Sequence, residues 1–321
     1  MSIYTEKFSK KSLNDKNTSF RKIRKYLRPK PATILDIGCS SGYYGNYLKK
    51  TLKSIVWGLE YNKNDAKIAA NYLDKVIVSN LEDNNWQRKL KNKKFDAVIF
   101  ADVLEHTSNP QKILTTTKKI ISDIGCVYAS IPNICHYTTK LKHLNNVWKY
   151  EEYGLMDKTH LHFFNYQEII QTFEDAGYFI KNVDYVISET PKNDLLNLII
   201  NSGLDLNSEK LIQNISSLES RVFQYIIKAS PNRPKKYRSY NHPKIINKIL
   251  KTPEKYKIVM SDVLTVFPEY NSLNNQLLKN EIEQLRSENT RISTILDDIT
   301  SAKFFKLWQN YVKFKKFFTK K

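Results

Sequence analysis

The stretch Ile34-Leu35-Asp36-Ile37-Gly38-Cys39-Ser40-Ser41-Gly42 constrains this chain more than any other. It reads as a short buried strand that stops at a glycine turn and hands over to a helix beginning near Tyr43. Gly38 lets the backbone turn sharply, and Gly42 lets the helix approach a bound ligand closely. The first amides of that helix then face the bound molecule. Eighteen residues beyond Gly42, Glu60 stands at the tip of a second strand, where a carboxylate can accept both hydroxyls of a ribose. Dinucleotide enzymes share such a turn, but their fingerprint needs glycine at positions 38, 40 and 43. Ser40 and Tyr43 stand there instead, which argues against a nicotinamide or flavin dinucleotide.

Around the turn the chain alternates between apolar runs and helical patterns. Thr33–Gly38, Ile55–Glu60, Val76–Ser79, Phe95–Asp102, Cys126–Ile131, Tyr178–Ile187 and Ser220–Ala229 read as strands. Between them lie helices over Tyr43–Leu52, Asp65–Leu73, Gln111–Ile121 and Tyr166–Ala176, the last closed by Gly177. A basic amphipathic helix over 16–28 leads in, and 192–218 reads as a helical insertion or lid. Runs apolar throughout imply parallel strands covered on both faces. The expectation is an α/β fold, a seven-stranded mostly parallel sheet with helices on both faces, filling residues 1–231.

Past Pro231 the character changes. Residues 232–268 read as a basic linker, with a single acid, Glu254, between 232 and 257. Within 269–300, Leu278, Ile282, Leu285, Asn289, Ile292, Leu296 and Ile299 alternate by four and three, the spacing of a coiled-coil seam. Asn289 falls at an a position, where asparagine commonly fixes register and favours dimers, so a homodimer through 278–299 is expected beside the alternative of a helix packed on its own domain. Residues 301–321 read as a basic amphipathic helix. From Lys303 on there is no acid, and Phe304, Phe305, Leu307, Trp308, Tyr311, Val312 and Phe318 oppose a lysine face. Such a helix suits an anionic membrane surface, or a protein partner.

Composition sets the outer limits. The formal charge of +20 points to an anionic partner. The bland alternative is that lysine, together with abundant Asn, Ile and Tyr, is what an AT-rich genome places on solvated surfaces. Cys39, Cys126 and Cys135 match neither a disulfide framework nor a zinc spacing, which fits a reducing compartment. No segment has the apolar core of a signal peptide, and none approaches eighteen apolar residues. The expected location is cytoplasmic, peripheral at the inner membrane face if the last helix binds lipid.

Three ordered motifs then carry a resemblance. Leu35-Asp36-Ile37-Gly38-Cys39-x-x-Gly42 resembles motif I of class I methyltransferases, which use S-adenosylmethionine (SAM). Phe95-Asp96-Ala97-Val98-Ile99-Phe100-Ala101-Asp102-Val103-Leu104-Glu105-His106 resembles the fourth strand and following loop of ubiquinone-biosynthesis-like methyltransferases. Asp157-Lys158-Thr159-His160-Leu161-His162-Phe163-Phe164 resembles a segment of methyltransferases found among glycan-assembly genes. The resemblance covers about residues 15–230 and implies a Rossmann-like fold with SAM as cofactor. It would place Asp36, Gly38, Cys39 and Gly42 along the methionine end of SAM, Glu60 on the ribose, and Tyr61, Asn80 and Leu81 about the adenine. Asp102 and Val103 would sit beside the methionine moiety. Asn80 departs from the aspartate usual at that position, though its carbonyl can still accept from the adenine amino group.

The methyl group of a sulfonium is already activated, so the enzyme's main work is to hold a nucleophile in line with it. An alcohol also needs a base, for which histidine is the usual choice. His160, on a loop of the carboxyl rim, is the first candidate and His106 the second; each could instead merely cap or tie its loop. No metal is expected, because Asp102 and Asn109 replace residues that a metal-binding variant of this loop would carry. The end Ser301-Ala302-Lys303-Phe304-Phe305-Lys306-Leu307-Trp308 resembles a tail of proteins acting beside glycosyltransferases. With the His160 segment, this resemblance implies a sugar of a surface polysaccharide or lipid-linked glycan as acceptor, with loops 133–165 and 192–218 shaping its pocket. A small-molecule O-methyltransferase of ubiquinone type is the runner-up. An RNA methyltransferase using the basic segment and a non-enzymatic SAM-fold scaffold are the remaining rivals, and a nucleic-acid partner is not expected.

Overall fold

A computed structural model describes residues 15–27, 30–188, 190–202, 209–258, 268–301 and 307–312. The chain divides into two compact units, Met1–Ile258 and Val259–Lys321. In the first, seven strands form one sheet: β1 (Thr33–Ile37), β2 (Ile55–Glu60), β3 (Lys75–Val78), β4 (Phe95–Ala101), β5 (Ile121–Pro132), β6 (Phe179–Ile187) and β7 (Val222–Ser230). Their order is β3-β2-β1-β4-β5-β7-β6. The first five pair in parallel, and β7 runs antiparallel between β5 and β6. The expected α/β architecture with a seven-stranded, mostly parallel sheet is therefore present.

The strand order fixes where a ligand can go. From β1 the chain builds outward through β2 and β3, then returns to place β4 on the other side of β1. The carboxyl ends of β1 and β4 thus part at the one point where the order reverses, opening a crevice. The sheet is buried on both faces because its central strands β1 and β4 are apolar at every position but Thr33, Asp36 and Asp96. Leu35, Ile37, Val98 and Phe100 enter one apolar cluster, and Ile34, Ala97 and Ile99 enter the other. Burying each of the larger side chains contributes about 1.5–3 kcal/mol, enough for the two cores to hold the crevice walls rigid.

Helix ends follow local chemistry. Ser19–Tyr26 starts where the Thr18 side chain accepts from the Arg21 amide, and its Lys22 and Tyr26 bind Asp184 of β6 at 3.2 and 2.7 Å. Pro110–Thr117 opens on Asn109 as N-cap with proline in its first turn. It ends earlier than the sequence pattern implies, since Lys118–Ile120 tightens into a 3-10 turn and β5 already begins at Ile121. Helices occupy Lys192–Asn201, Glu209–Ser216 and Leu218–Arg221, in keeping with a helical segment before β7.

Residues 232–258, expected as a linker, pack onto the domain. Glu174 of helix Tyr166–Asp175 accepts from the hydroxyls of Tyr237 and Ser239, each at 2.7 Å. Ile246, Ile249 and Leu250 rest on the core, and Tyr256 and Ile258 are buried. The physical reason is the apolar and aromatic content of this segment, which its lysines and prolines mask in the sequence. In the second unit Pro268–Ser301 is one helix of 34 residues, and 307–312 are helical. The rest of the expected basic helix, 302–306 and 313–321, lies outside the described residues.

Candidate active site

The crevice is built from the turn after β1 and the loop after β4. Gly38 takes a φ of 68°, and its amide donates to Leu59 O of β2 at 2.8 Å. A Cβ there would lie 2.7 Å from Val103 Cγ2, so the two loops meet at this glycine. Gly42 takes a φ of 79° and N-caps helix Tyr43–Leu52. A Cβ there would sit 2.8 Å from Ala69 Cα and 2.9 Å from Ala69 Cβ, so packing against the neighbouring helix by itself requires glycine here. The Cys39 side chain turns inward against Gly58, leaving only its backbone to the turn.

Glu60 is buried at the tip of β2, where Oε2 accepts from the Ser40 amide and Oε1 from the Asn62 amide, both at 2.9 Å. Each carboxylate oxygen keeps a further lone pair for a hydroxyl. Asp36 is also buried, and its carboxyl is pushed up to about 7 by that burial and by the charge of Glu60, with the Gly45 amide opposing. Two neighbouring buried carboxylates favour a cation close by. Asn80 Oδ1 accepts from the Glu82 amide at 3.0 Å, Leu81 leans on the core, and Tyr61 is 73% exposed on the rim.

Asp102 stands opposite the turn with a φ of 57°, a backbone conformation that costs about 1–3 kcal/mol in a non-glycine residue. It is held by partners that local sequence does not disclose. Ser130 Oγ and Gln224 Nε2 donate to Asp102 Oδ1 at 2.6 and 2.8 Å. The parallel pairing of β4 with β5 brings Ser130 opposite Ala101, and the antiparallel pairing of β5 with β7 brings Gln224 opposite Pro132.

Beyond Asp102 the two expected histidines meet. The rings of His106 and His160 lie 4.8 Å apart, edge to face. His106 Nδ1 is 3.2 Å from Thr159 O and 3.0 Å from Thr159 Oγ1, while that hydroxyl donates to Asp157 Oδ1 at 2.7 Å. Amides of Leu161 and His162 donate to Glu105 O at 2.8 and 3.1 Å, stitching the 157–164 segment to the loop after β4. Burial and then the nearby His106 depress the pKa of His160 against the opposing pull of Asp157 and Asp102. Asp157 feels burial pushing it up, yet hydrogen bonds from Thr159 hold its carboxyl below the usual range. Ligand atoms of Glu105, His106 and His160 all lie within 4.8 Å of one another, a donor set with the reach to hold a divalent cation. Sequence reasoning singled out the two histidines and weighed Glu105 only within a metal-binding loop that it set aside, and it gave Thr159 and Asp157 no role.

Comparison with known proteins places these residues in company. Residues 13–182 match the model of a family described as "Methyltransferase domain". A ubiquinone biosynthesis O-methyltransferase, mitochondrial, of Dictyostelium discoideum is 25% identical over 145 residues, covering 41% of this chain and 41% of that protein. The match thus spans about two fifths of the relative. Among solved structures, a SAM-dependent methyltransferase from Archaeoglobus fulgidus covers 70% of this chain and 99% of its own, at 18% identity and a TM-score of 0.46. Magnesium protoporphyrin IX methyltransferase from Synechocystis, with bound SAH, covers 66% and 82% at 12% identity and a TM-score of 0.45.

Proposed function

This chain belongs to the methyltransferase-domain family, whose methyl donor is SAM, and from that premise we propose that it methylates a hydroxyl of a sugar in a surface polysaccharide or lipid-linked glycan. The observation that carries the transfer chemistry is the crevice between Gly38 and Asp102, with the His106–His160 pair on its rim. Its residues fit SAM: a buried carboxylate with spare lone pairs at Glu60, two loops in contact at Gly38, and acidic surroundings suited to a cation. When bound, SAM supplies an activated methyl group. Asp36, Glu60 and Asp102 orient the donor, and Asn80, Leu81 and Tyr61 border its base.

The imidazoles take the acceptor's proton. Thr159 holds His106 Nδ1, so its Nε2 is the nitrogen left for a hydroxyl. His160, kept neutral by burial, serves as the second acceptor beside it. The sugar assignment draws on the 157–164 segment and on the basic aromatic tail 301–321, which would hold the enzyme peripherally on the cytoplasmic face of an anionic membrane. No helix among the described residues is long and apolar enough to cross a membrane. The long helix Pro268–Ser301, with Ile282, Leu285, Ile292 and Leu296 exposed on one seam, would join two copies.

The test is methyl transfer from labelled SAM to nucleotide-sugars and lipid-linked glycans, with His106→Ala and His160→Ala alongside. The expectation is labelled glycan with wild type and loss with one or both variants. Full rate in both variants removes the histidine base. Methylation of catechols alone would favour the second reading, a small-molecule O-methyltransferase, which the Dictyostelium relative supports. Flotation with anionic liposomes, comparing the full chain with one ending at Thr300, tests the tail: equal behaviour removes the membrane role.

A further inference from the structure

Beside the histidine pair lies a run of aromatic side chains that the cofactor crevice does not use. Phe163 stands 6.1 Å from His160, centroid to centroid, Trp148 stands 5.6 Å from Phe163, and Tyr150 stands 6.3 Å from Phe163. The far side of the run is closed by His143, stacked on Trp148 at 4.6 Å and 15°. Trp148 and Tyr150 are nonetheless 54% and 51% exposed. Isolated exposed aromatics need no explanation, but a connected set running up to a reactive site does.

The loop that carries them is pinned. The Glu151 amide donates to Met156 O at 2.8 Å, the Lys158 amide donates to Glu151 O at 2.9 Å, and Leu155 and Met156 are buried beneath. The rings are therefore held out by structure. Charged groups rim them: Lys142 pairs with Glu151, and Lys158 pairs with Glu152 at 2.6 Å. Open aromatic faces beside hydrogen-bonding groups match one chemistry in particular. A pyranose presents C–H groups on its faces and hydroxyls around its edge, so it can stack on the rings while the edge meets the rim. A flat phenol would instead be served by an enclosed apolar slot.

We infer that Trp148, Tyr150 and Phe163 form a stacking platform for a sugar ring of the acceptor. This rests on the sugar-methylating function proposed above. The platform stands three ring contacts from His106, through Phe163 and His160, so the ring seated on Trp148 is a neighbour of the sugar that is methylated. It therefore selects oligosaccharides over single sugars.

The full chain saturated with SAH, probed with a panel of methyl glycosides and short oligosaccharides by saturation-transfer NMR, tests this. The expected result is oligosaccharide binding weakened about tenfold in Trp148→Ala, a smaller loss in Tyr150→Ala, and near-complete rescue in Trp148→Phe. SAH affinity should be unchanged in all three, which also shows that each variant is folded. Oligosaccharide affinity equal to wild type in Trp148→Ala, with SAH bound, overturns the platform and leaves the sugar acceptor standing. If wild type binds SAH and a catechol but none of the saccharides, the sugar acceptor and the platform fall together.

Discussion

Gln224 reaches across the sheet to donate to Asp102 Oδ1 at 2.8 Å, although 122 positions separate the two residues. It steadies a carboxylate that also carries a left-handed backbone, and that we propose stands beside the cofactor's methionine end. Gln224→Ala removes one hydrogen bond to a charged group, worth about 1.5–3 kcal/mol. SAM binding by calorimetry should weaken about tenfold or more, with the fold intact. Unchanged affinity would mean that Ser130 suffices to hold Asp102.

Gly42 makes a contrasting case. Gly42→Ala places a methyl group 2.8 Å from Ala69 Cα at a φ of 79°. The expected cost is about 1–3 kcal/mol of stability, from overpacking and backbone strain together. Thermal melting without cofactor should fall by several degrees, and a melting point equal to wild type would remove the packing requirement at this glycine.

His136 titrates against the fold. It is buried at the start of helix Tyr137–Leu144, where its Nδ1 accepts from the Thr138 amide. Burial first, then Lys140 and Arg221, lower its pKa from 6.5 to about 4. Because the folded pKa is depressed, the unfolded chain binds the extra proton first. Stability is thus full above pH 6.5 and falls as the pH drops toward 4, by about 3 kcal/mol in all. His136→Asn keeps a capping side chain without the titration. Denaturant melts between pH 7 and 4 should show a shallower decline in the variant; parallel declines would assign the loss to other groups.

The Glu105–His106–His160 cluster can be separated from a metal centre directly. If the histidines act as bases, dialysis against EDTA leaves the methyl-transfer rate unchanged. A rate lost on chelation and restored by magnesium or zinc would assign the three side chains to a cation instead.

The seam on helix Pro268–Ser301 predicts a dimer. Sedimentation of the full chain should give twice the mass of one chain, and Leu285→Lys should return it to the monomer with SAM binding per chain unaltered. A monomeric wild type would send the seam back to its own domain.

Much of the fold was legible because its signals are local. The apolar runs of β1 and β4 and the glycine turn between β1 and its helix each declare themselves within ten residues. The histidines were legible by chemistry and by their place on the rim. What was not legible depends on pairing at long range: Ser130 reaches Asp102 through the register of β4 with β5, and Gln224 through that of β5 with β7. Thr159 and Asp157 gain a role only once their loop folds onto Glu105. The packing of Gly42 against Ala69 is not legible either, because a glycine required by a neighbouring helix and one required by a ligand look alike in sequence. Within the expected linker 232–268, the docking of residues up to 258 is hidden in the sequence because charge and proline outweigh the few apolar positions that carry it.

The clasp at Glu174 separates two kinds of boundary. Kinship with the methyltransferase family is recognised over 13–182, whereas the unit that holds together runs to Ile258. A recombination event or truncation cutting at 231 would inherit the whole recognisable ancestry and still deprive Glu174 of Tyr237 and Ser239. It would also uncover the core surface beneath Ile246, Ile249 and Leu250. The segment that declares the family and the unit that must fold as one therefore end at different places along this chain.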